Sequence, residues 1–205
     1  MSDYAPMLPA WPYTKAKTAL IRAAALVMSE LGPRAATLKN VATRAGVTEP
    51  AIFRHFPGVD GIFAALCDTL ELFHDRFDEL LAETPSGLRR FEHGIRGAFA
   101  ILAASPDYAY LVLHADSVFR EYPELMRRVV ARRGRVLEAV EAAFEEARAS
   151  GELKEGIESA HAAHLACGSF AFAALRWLDH APSGDPLASA DAVWTTLRKL
   201  LSRKR

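Results

Sequence analysis

The segment LKNVATRAGVTEPAIFRHF, residues 38–56, decides the fold of the N-terminal part of this 205-residue chain. It places Ala42 four positions before Gly46, and Ile52 six positions after that glycine. A small residue lets two helices cross closely, a glycine accepts the positive φ of a tight turn, and an apolar residue fills the crossing. The spacing therefore predicts a helix-turn-helix whose turn lies at Gly46.

Signals at the helix ends favour the same motif. Thr37 is a good N-cap for the first of the two helices, and Thr48 is a good N-cap for the second. The dipeptide at 57–58, Pro-Gly, is expected to end the second helix. Val41 and Val47 are expected to supply the remaining apolar contacts at the crossing. The motif is thus specified by several residues at fixed positions.

The outward side of the second helix is predicted to bind DNA. Because Ile52 points into the crossing, the side chains around it cannot all do the same. In a helix-turn-helix, the N-terminal part of the second helix enters the major groove and its side chains meet base edges. The candidate DNA contacts are Thr37, Thr48, Glu49, Pro50, Phe53, Arg54 and His55.

The chemistry of these side chains suits the two kinds of DNA contact. Glu49 could accept a hydrogen bond from a cytosine amino group, and Pro50 or Phe53 could touch a thymine methyl group. Arg54 and His55 are suited to phosphate oxygens. The alternative is that these two residues only cap a helix end, where positive charge is favoured in any case. The combination of residues favours DNA contact.

Residues 15 to about 66 resemble the DNA-binding domain of the TetR family of transcriptional regulators. The matching features are a first helix ending in Glu-Leu-Gly (30–32), then Ala-Thr-Leu-Lys-Asn-Val-Ala (36–42), Ala-Gly-Val-Thr (45–48) and Ile-Phe-Arg-His-Phe-Pro (52–57). The resemblance implies a homodimer. Each subunit would have a three-helix DNA-binding domain and a C-terminal helical domain that encloses a small-molecule pocket. Ligand binding would release a repressor from a palindromic operator, and the candidate contacts above fall at the family's DNA-contacting positions.

Three positions depart from the family's pattern. Phe53 stands where the family has a tyrosine that bonds a phosphate. Near Val59 the family has a lysine that also holds phosphate, and this chain has none there. Glu49 adds a negative charge to the side that would face DNA. Because affinity and its salt dependence follow the number of phosphates neutralised, we expect weaker non-specific binding and a shallower salt slope than in a typical member.

The remaining sequence predicts an all-α protein. Apolar residues recur at helical spacing, no stretch alternates with a period of two, and one of the expected helices covers 107–118. The predicted organisation is a flexible arm at 1–13, a helix-turn-helix domain at 14–58, and a helical-bundle domain for ligand binding and dimerisation at 59–205. Residues 15–60 carry seven basic and three acidic residues, a net charge of +4, although the whole chain has a formal charge of zero. That distribution suits a small module that touches an anionic partner.

Two further surfaces are predicted in the C-terminal region. Polar and aromatic residues on the middle helices could border an apolar ligand cavity: Phe91, Arg96, Phe99, Tyr108, Leu111 and His114. Arg96 could instead be a surface cation, and aromatic residues at helical spacing also build cores. The candidate dimer contacts lie on the last two helices: Ala163, Phe170, Ala174, Trp177, Val193 and Leu197. The alternative is that these residues form a core within one chain.

Other functional classes find little support in the sequence. It contains no catalytic motif, and we expect neither an enzyme nor a bound cofactor or metal. Glu158, His161, His164 and Cys167 recur every three residues, but that spacing drifts around a helix, so they would not converge on one ion. No secretion signal or membrane-spanning stretch is evident, which predicts a cytoplasmic protein. The second hypothesis is an all-α small-molecule binding protein or enzyme whose helix-turn-helix does not bind DNA.

Overall fold

The computed structural model describes residues 12–83, 87–179 and 185–203. Within those ranges every regular element is helical, apart from one isolated antiparallel bridge between Leu153 and Ser202. The helices in chain order are α1 Lys15–Leu31, α2 Leu38–Ala45, α3 Glu49–Ile52, α4 Val59–Ala82, α5 Gly87–Ala104, α6 Pro106–Leu113, α7 Ala115–Val118, α8 Pro123–Ala149, α9 Ser159–Asp179 and α10 Pro186–Leu201, with a 3₁₀ turn at Pro33–Ala35. The predicted all-α class is confirmed.

The chain forms two compact units. The described part of the first, here called the head unit, comprises 12–73 and 105–130. The described part of the second, the body unit, comprises 74–83, 87–104, 131–179 and 185–203. The boundaries fall inside α4 and α8, so both helices contribute to both units. The predicted boundary at residue 58 separates a DNA-binding domain from a ligand-binding and dimerisation domain by their roles, not by their contacts. It stays a prediction.

Caps and glycines define the three N-terminal helices. Thr14 and Thr37 accept hydrogen bonds from the backbone N–H groups of Lys17 and Asn40, at 3.4 and 3.3 Å. Gly46 ends α2 in the left-handed region, with φ of 68°, where a residue with a side chain would be strained. These local signals explain why α2 begins and ends where the sequence predicts.

Two predicted helices differ from those observed. After α3, the amide N–H groups of Arg54 and His55 reach back three residues instead of four, to Ala51 and Ile52, so the chain leaves α geometry before the predicted end at 57–58. The predicted helix at 107–118 is two helices, α6 and α7. It breaks at His114, whose φ of −115° and ψ of 23° are not helical.

The N-terminal arm predicted at 1–13 lies outside the described residues up to position 11. Its last residue, Tyr13, donates a hydrogen bond from its hydroxyl to Oδ2 of Asp68 on α4, at 2.9 Å. The hydroxyl is partly buried, and burial together with this bond raises the pKa of Tyr13. The chain is therefore attached to α4 immediately before α1 begins.

An aromatic cluster forms the core of the body unit. Phe91 on α5 is fully buried, and its ring centroid lies 5.0 Å from Phe144 on α8, 5.7 Å from Phe170 on α9 and 5.6 Å from Trp194 on α10. Contacts of this kind stabilise a core beyond the area that they bury. Helix α5 also packs closely on α4, because a Cβ at Gly97 would lie 2.5 Å from Leu80. These contacts hold the helices of the unit in a fixed arrangement.

Candidate nucleic-acid interface

The crossing of α2 and α3 has the geometry that the sequence predicts, with one exception. Ala42 and Ile52 are buried, and the turn is closed by a hydrogen bond from the N–H of Val47 to the carbonyl of Ala42 at 3.0 Å. Val41 is fully buried, but Val47 is 41% exposed. The prediction that Val47 packs into the crossing is wrong, because the chain turns outward after Gly46.

The leading turn of α3 lies on the surface of the head unit. Thr48, Glu49 and Pro50 are exposed, and so are Phe53 and Arg54 just beyond the helix. His55 is half-buried and Thr37 is exposed. The structure therefore brings most of the predicted contacts to the outside of the motif, while Ile52 between them is covered.

The two threonine caps of the motif differ in how they use their hydroxyl groups. Thr37 accepts the bond from Asn40 described above, whereas Thr48 makes no side-chain cap hydrogen bond. The hydroxyl of Thr48 and the first N–H groups of α3 thus keep their capacity to bind an outside group. A phosphate oxygen is one such group.

The charges around the motif fall into two groups. Arg44 on α2 pairs with Glu30 on α1 at 2.7 Å, and Arg34 pairs with Glu121 at 3.1 Å. In contrast, Arg54 and Lys39 make no ion pair with the described residues. The unpaired cations are the ones that can neutralise phosphates without first giving up a partner.

A buried carboxylate ties α1 to α6 within the head unit. Asp107 has only 5% of its side chain exposed, and its Oδ2 lies 2.9 Å from Nε of Arg22. A charge-assisted hydrogen bond of this kind is short and directional. It fixes the orientation of α1, on which the helix-turn-helix packs.

An open groove of about 790 Å³ runs beside the motif, also within the head unit. One wall comes from the 3₁₀ turn and the start of α2, and the other from residues 117–122. The lining residues are Pro33, Arg34, Ala36, Thr37, Leu38, Lys39, Glu49, Val59, Phe63, Ser117, Val118, Arg120, Glu121 and Tyr122. No pattern in the sequence predicts this groove, because its walls are far apart along the chain.

Comparison with known proteins supports the reading of the motif. Residues 20–66 match the family model described as bacterial regulatory proteins, tetR family. Those residues are similar in sequence to that family. They cover α2, α3 and the exposed leading turn, together with most of α1 and the start of α4. No curated protein matches the chain in sequence.

Solved structures of transcriptional regulators share the fold over most of the chain. KstR2 of Mycobacterium tuberculosis, a ketosteroid transcriptional regulator, has a TM-score of 0.81 at 14% identity, over 96% of this chain and 100% of that chain. FadR of Bacillus subtilis, in complex with stearoyl-CoA, has a TM-score of 0.70 at 22% identity, over 88% of this chain and 96% of that chain. The fatty acid degradation regulator FadR of Bacillus halodurans has a TM-score of 0.74 at 17% identity, over 92% of this chain and 97% of that chain. At these identities the similarity concerns the fold.

The residues predicted to border a ligand cavity are divided between the two units. Phe91 and Phe99 are buried in the aromatic cluster of the body unit, where Phe99 lies 5.9 Å from Phe170. Tyr108 and Leu111 are buried in the head unit, where the ring of Tyr108 lies 5.7 Å from that of Phe73. None of the six predicted cavity residues lines the groove beside the motif.

The two polar members of that set have close neighbours. Arg96 is exposed, and its Nη2 lies 3.0 Å from Oδ2 of Asp191 on α10. It is therefore a surface cation, which is the alternative that the sequence left open. His114 is half-buried, and its ring lies 4.5 Å from that of Tyr110.

The predicted dimer contacts are covered by their own chain. Ala163, Phe170, Ala174, Trp177 and Leu197 are all buried, and Val193 is half-buried. The opposite side of α9 carries Leu165, which is 49% exposed, and Phe172, which is 64% exposed. The buried members of the set have little surface left for a second subunit, whereas this exposed side of α9 is open to one; the dimer contacts stay a prediction.

The other sequence alternatives concern metals and membranes. His164 is exposed, and its Nδ1 lies 2.6 Å from the carbonyl oxygen of Ala160. Among the residues that the structure describes, no group of three metal-ligand side chains is close enough to hold an ion. In the same ranges, each helix is too short or too polar to cross a bilayer.

Proposed function

We propose that the protein is a DNA-binding transcriptional regulator, a repressor that a small molecule releases from a palindromic operator. The exposed leading turn of α3 carries this proposal. Thr48, Glu49 and Pro50 are free of covering chain while Ile52 holds the helix against α2. A helix presented in this way can enter the major groove, which is about 12 Å wide.

The proposed division of labour follows the sequence. Residues 14–58 bind DNA, and residues 59–205 bind the effector and the second subunit. Glu49, Pro50 and Phe53 face base edges, whereas Arg54 and His55 bind phosphates. Thr37 and Thr48 add hydroxyl groups at the starts of α2 and α3. The protein acts in the cytoplasm, where its operator is.

Footprinting of the DNA that flanks the protein's own gene tests the proposal. A dimer with two reading heads protects two half-sites related by a dyad, about 34–36 Å or a multiple of it apart. We expect that pattern from hydroxyl-radical cleavage at low salt. If the protein protects no palindrome there or elsewhere in the genome, the proposal fails.

We place the dimer interface on the exposed side of α9. Leu165, Gly168 and Phe172 are spaced by three and four residues and are all exposed, so they lie along one stripe of the helix. A Cβ at Gly168 would meet nothing within 4 Å in the subunit, which leaves room for close approach by a second helix. Large apolar residues exposed on the same side of a helix mark an interaction site more often than single scattered ones do.

The interface is tested by changing one residue on the stripe. We expect Phe172→Glu to convert the dimer to a monomer in analytical ultracentrifugation, because a carboxylate would be buried without a partner. Val130→Glu is the matched control, since Val130 on α8 is 51% exposed and lies outside the stripe. A wild-type monomer, or a Phe172→Glu dimer as tight as wild type, would reject this interface.

The effector is proposed to be a small organic molecule with an apolar part. Two of the similar proteins concern fatty acids or their thioesters: one regulates fatty acid degradation and another was solved with stearoyl-CoA. We expect release of operator DNA by one member of a panel of fatty acids, acyl-CoA thioesters and steroids. If every member leaves the complex intact, effectors of these classes are rejected.

A further inference from the structure

The groove beside the helix-turn-helix has an apolar floor. Phe63 on α4 and Val118 on α7 line it and are 4% and 3% exposed. Tyr122 stacks on Phe63 with ring centroids 4.4 Å apart and an angle of 25° between the planes. An aromatic or alkyl group that packs on this floor would remove its own apolar surface and that of the floor from contact with water, which favours binding.

The rim of the groove carries an excess of positive charge. Arg34, Lys39 and Arg120 line it, against Glu49 and Glu121. Arg34 and Glu121 pair with each other, at 3.1 Å. Lys39 and Arg120 make no ion pair with the described residues, so the rim attracts an anion.

The size of the groove suits a small molecule. Its volume of about 790 Å³ lies within the roughly 300–1,000 Å³ that is typical of ligand sites. Such sites combine a mostly apolar wall with a few polar groups that fix orientation. The floor and the two unpaired cations provide both.

We propose that this groove binds a small organic anion, with its apolar body on Phe63 and Val118 and its charged group beside Lys39 and Arg120. The site is separate from the proposed effector cavity, because none of the six residues predicted to border that cavity lines the groove. Its ligand class is an aromatic or acyl carboxylate, sulfonate or phosphate of modest size.

Occupation of the groove would oppose DNA binding directly. Thr37 and Glu49 line the groove and are also proposed DNA contacts. A ligand there would therefore compete with the operator for the same side chains. This consequence rests on the proposed function, whereas binding of the anion does not.

Methyl NMR with anilinonaphthalene sulfonate, an aromatic anion, locates the site on the full chain without DNA. With valine methyl groups labelled, we expect the signals of Val59 and Val118 to shift on titration. The signal of Val140, buried in the body unit, should stay in place. If Val59 and Val118 do not shift, the proposal is overturned.

Charge-reversal variants test the role of the rim. Arg120→Glu should raise the dissociation constant of the probe at these methyl signals at least fivefold. Arg135→Glu, an equal change at an exposed arginine outside the groove, should leave it within twofold. Ser117→Phe, which fills the groove from an exposed position, should also abolish the shifts. Equal probe affinity in wild type and Arg120→Glu would overturn the proposal.

Competition with DNA separates this inference from the proposed function. The probe should raise the apparent dissociation constant of the operator complex for wild type and much less for Arg120→Glu. If Arg120→Glu weakens operator binding while probe binding is unchanged, the groove is part of the DNA interface and the inference is overturned. If wild type binds no DNA, the proposed function fails and the methyl shifts still decide the anion site.

Discussion

The helix-turn-helix and α9 use apolar side chains in different ways. In the motif, Val41 and Ile52 are fully covered on one side, and the outward side mixes polar residues with two exposed apolar ones, Val47 at 41% and Phe53 at 55%. Helix α9 has large apolar residues on both sides: Phe170 is 3% exposed, whereas Phe172 is 64% exposed. The exposed apolar groups of the motif lie on the side proposed to meet DNA, whereas the exposed side of α9 still requires cover. The second subunit is the cover that we propose.

The largest expected effect separates the two sides of α9. Phe170→Ala removes a ring that contacts Phe91 and Phe99, so we expect a loss of about 3–5 kcal/mol in the free energy of unfolding in urea. That loss should not depend on protein concentration. Phe172→Ala, two positions later, should alter mainly the concentration dependence. If instead Phe170→Ala alters the concentration dependence and Phe172→Ala lowers stability independently of concentration, the interface lies on the buried side of α9.

A similar test applies to the crossing in the head unit. Ile52→Ala empties a fully buried position, and we expect a cost of about 3 kcal/mol. Amide hydrogen exchange should show the loss in α2, the other helix of the motif, and in α1, on which the motif packs. Val47→Ala, at the exposed position on the same turn, should change protection by less than about 0.5 kcal/mol. Equal effects at the two positions would mean that Val47 also packs into the crossing.

The two threonine caps sharpen the distinction between stability and binding. Thr37→Ala removes an acceptor that the N–H of Asn40 uses, so it should lower the stability of α2 by about 1 kcal/mol. Thr48 has no such bond, and Thr48→Ala should cost less than about 0.5 kcal/mol while weakening DNA binding. Exchange of α2 amides and operator affinity measure the two effects. A larger stability loss at Thr48 would contradict the structure.

The last effect concerns the chemical reactivity of the cysteines, one in each unit, and leaves stability and DNA binding unchanged. Burial raises the pKa of Cys67 to about 11, and burial with nearby Glu141 raises the pKa of Cys167 to about 11. Because the thiolate is the reactive form, alkylation at pH 8 should be about a hundredfold slower than in the unfolded chain. The rate should rise with pH until about 11. Fast labelling of either native thiol at pH 8 would contradict this assignment.

The sequence predicted the motif well because its constraints are local. Gly46 sits in the left-handed region, and Ala42 and Ile52 lie in the crossing, since fixed offsets within one turn leave few alternatives. The covered side of α9 could not be read in the same way. Its apolar residues recur on both faces, so helical periodicity does not say which face the chain itself will bury.

Sites that are built from segments far apart along the chain also could not be predicted from the sequence. The groove joins residues 33–39 to residues 117–122, and nothing in either segment indicates the other. Arg96 was predicted as a possible ligand anchor, but its partner Asp191 lies far along the chain. Only the packing of the helices brings such residues together. The prediction for Val47 was wrong for a local reason: after Gly46 the chain turns outward, so the side chain of Val47 does not enter the crossing.

The affinity of wild type and Arg54→Ala for one operator fragment and for unrelated DNA tests the central claim most directly. Fluorescence anisotropy at a fixed salt concentration measures all four values, with Arg135→Ala as the control. We expect wild type to prefer the operator at least about a thousandfold. Because Arg54 is proposed to bind a phosphate, Arg54→Ala should weaken binding to the operator and to unrelated DNA by a similar factor. Equal binding of operator and unrelated DNA by wild type, or an unchanged affinity in Arg54→Ala, would contradict the account.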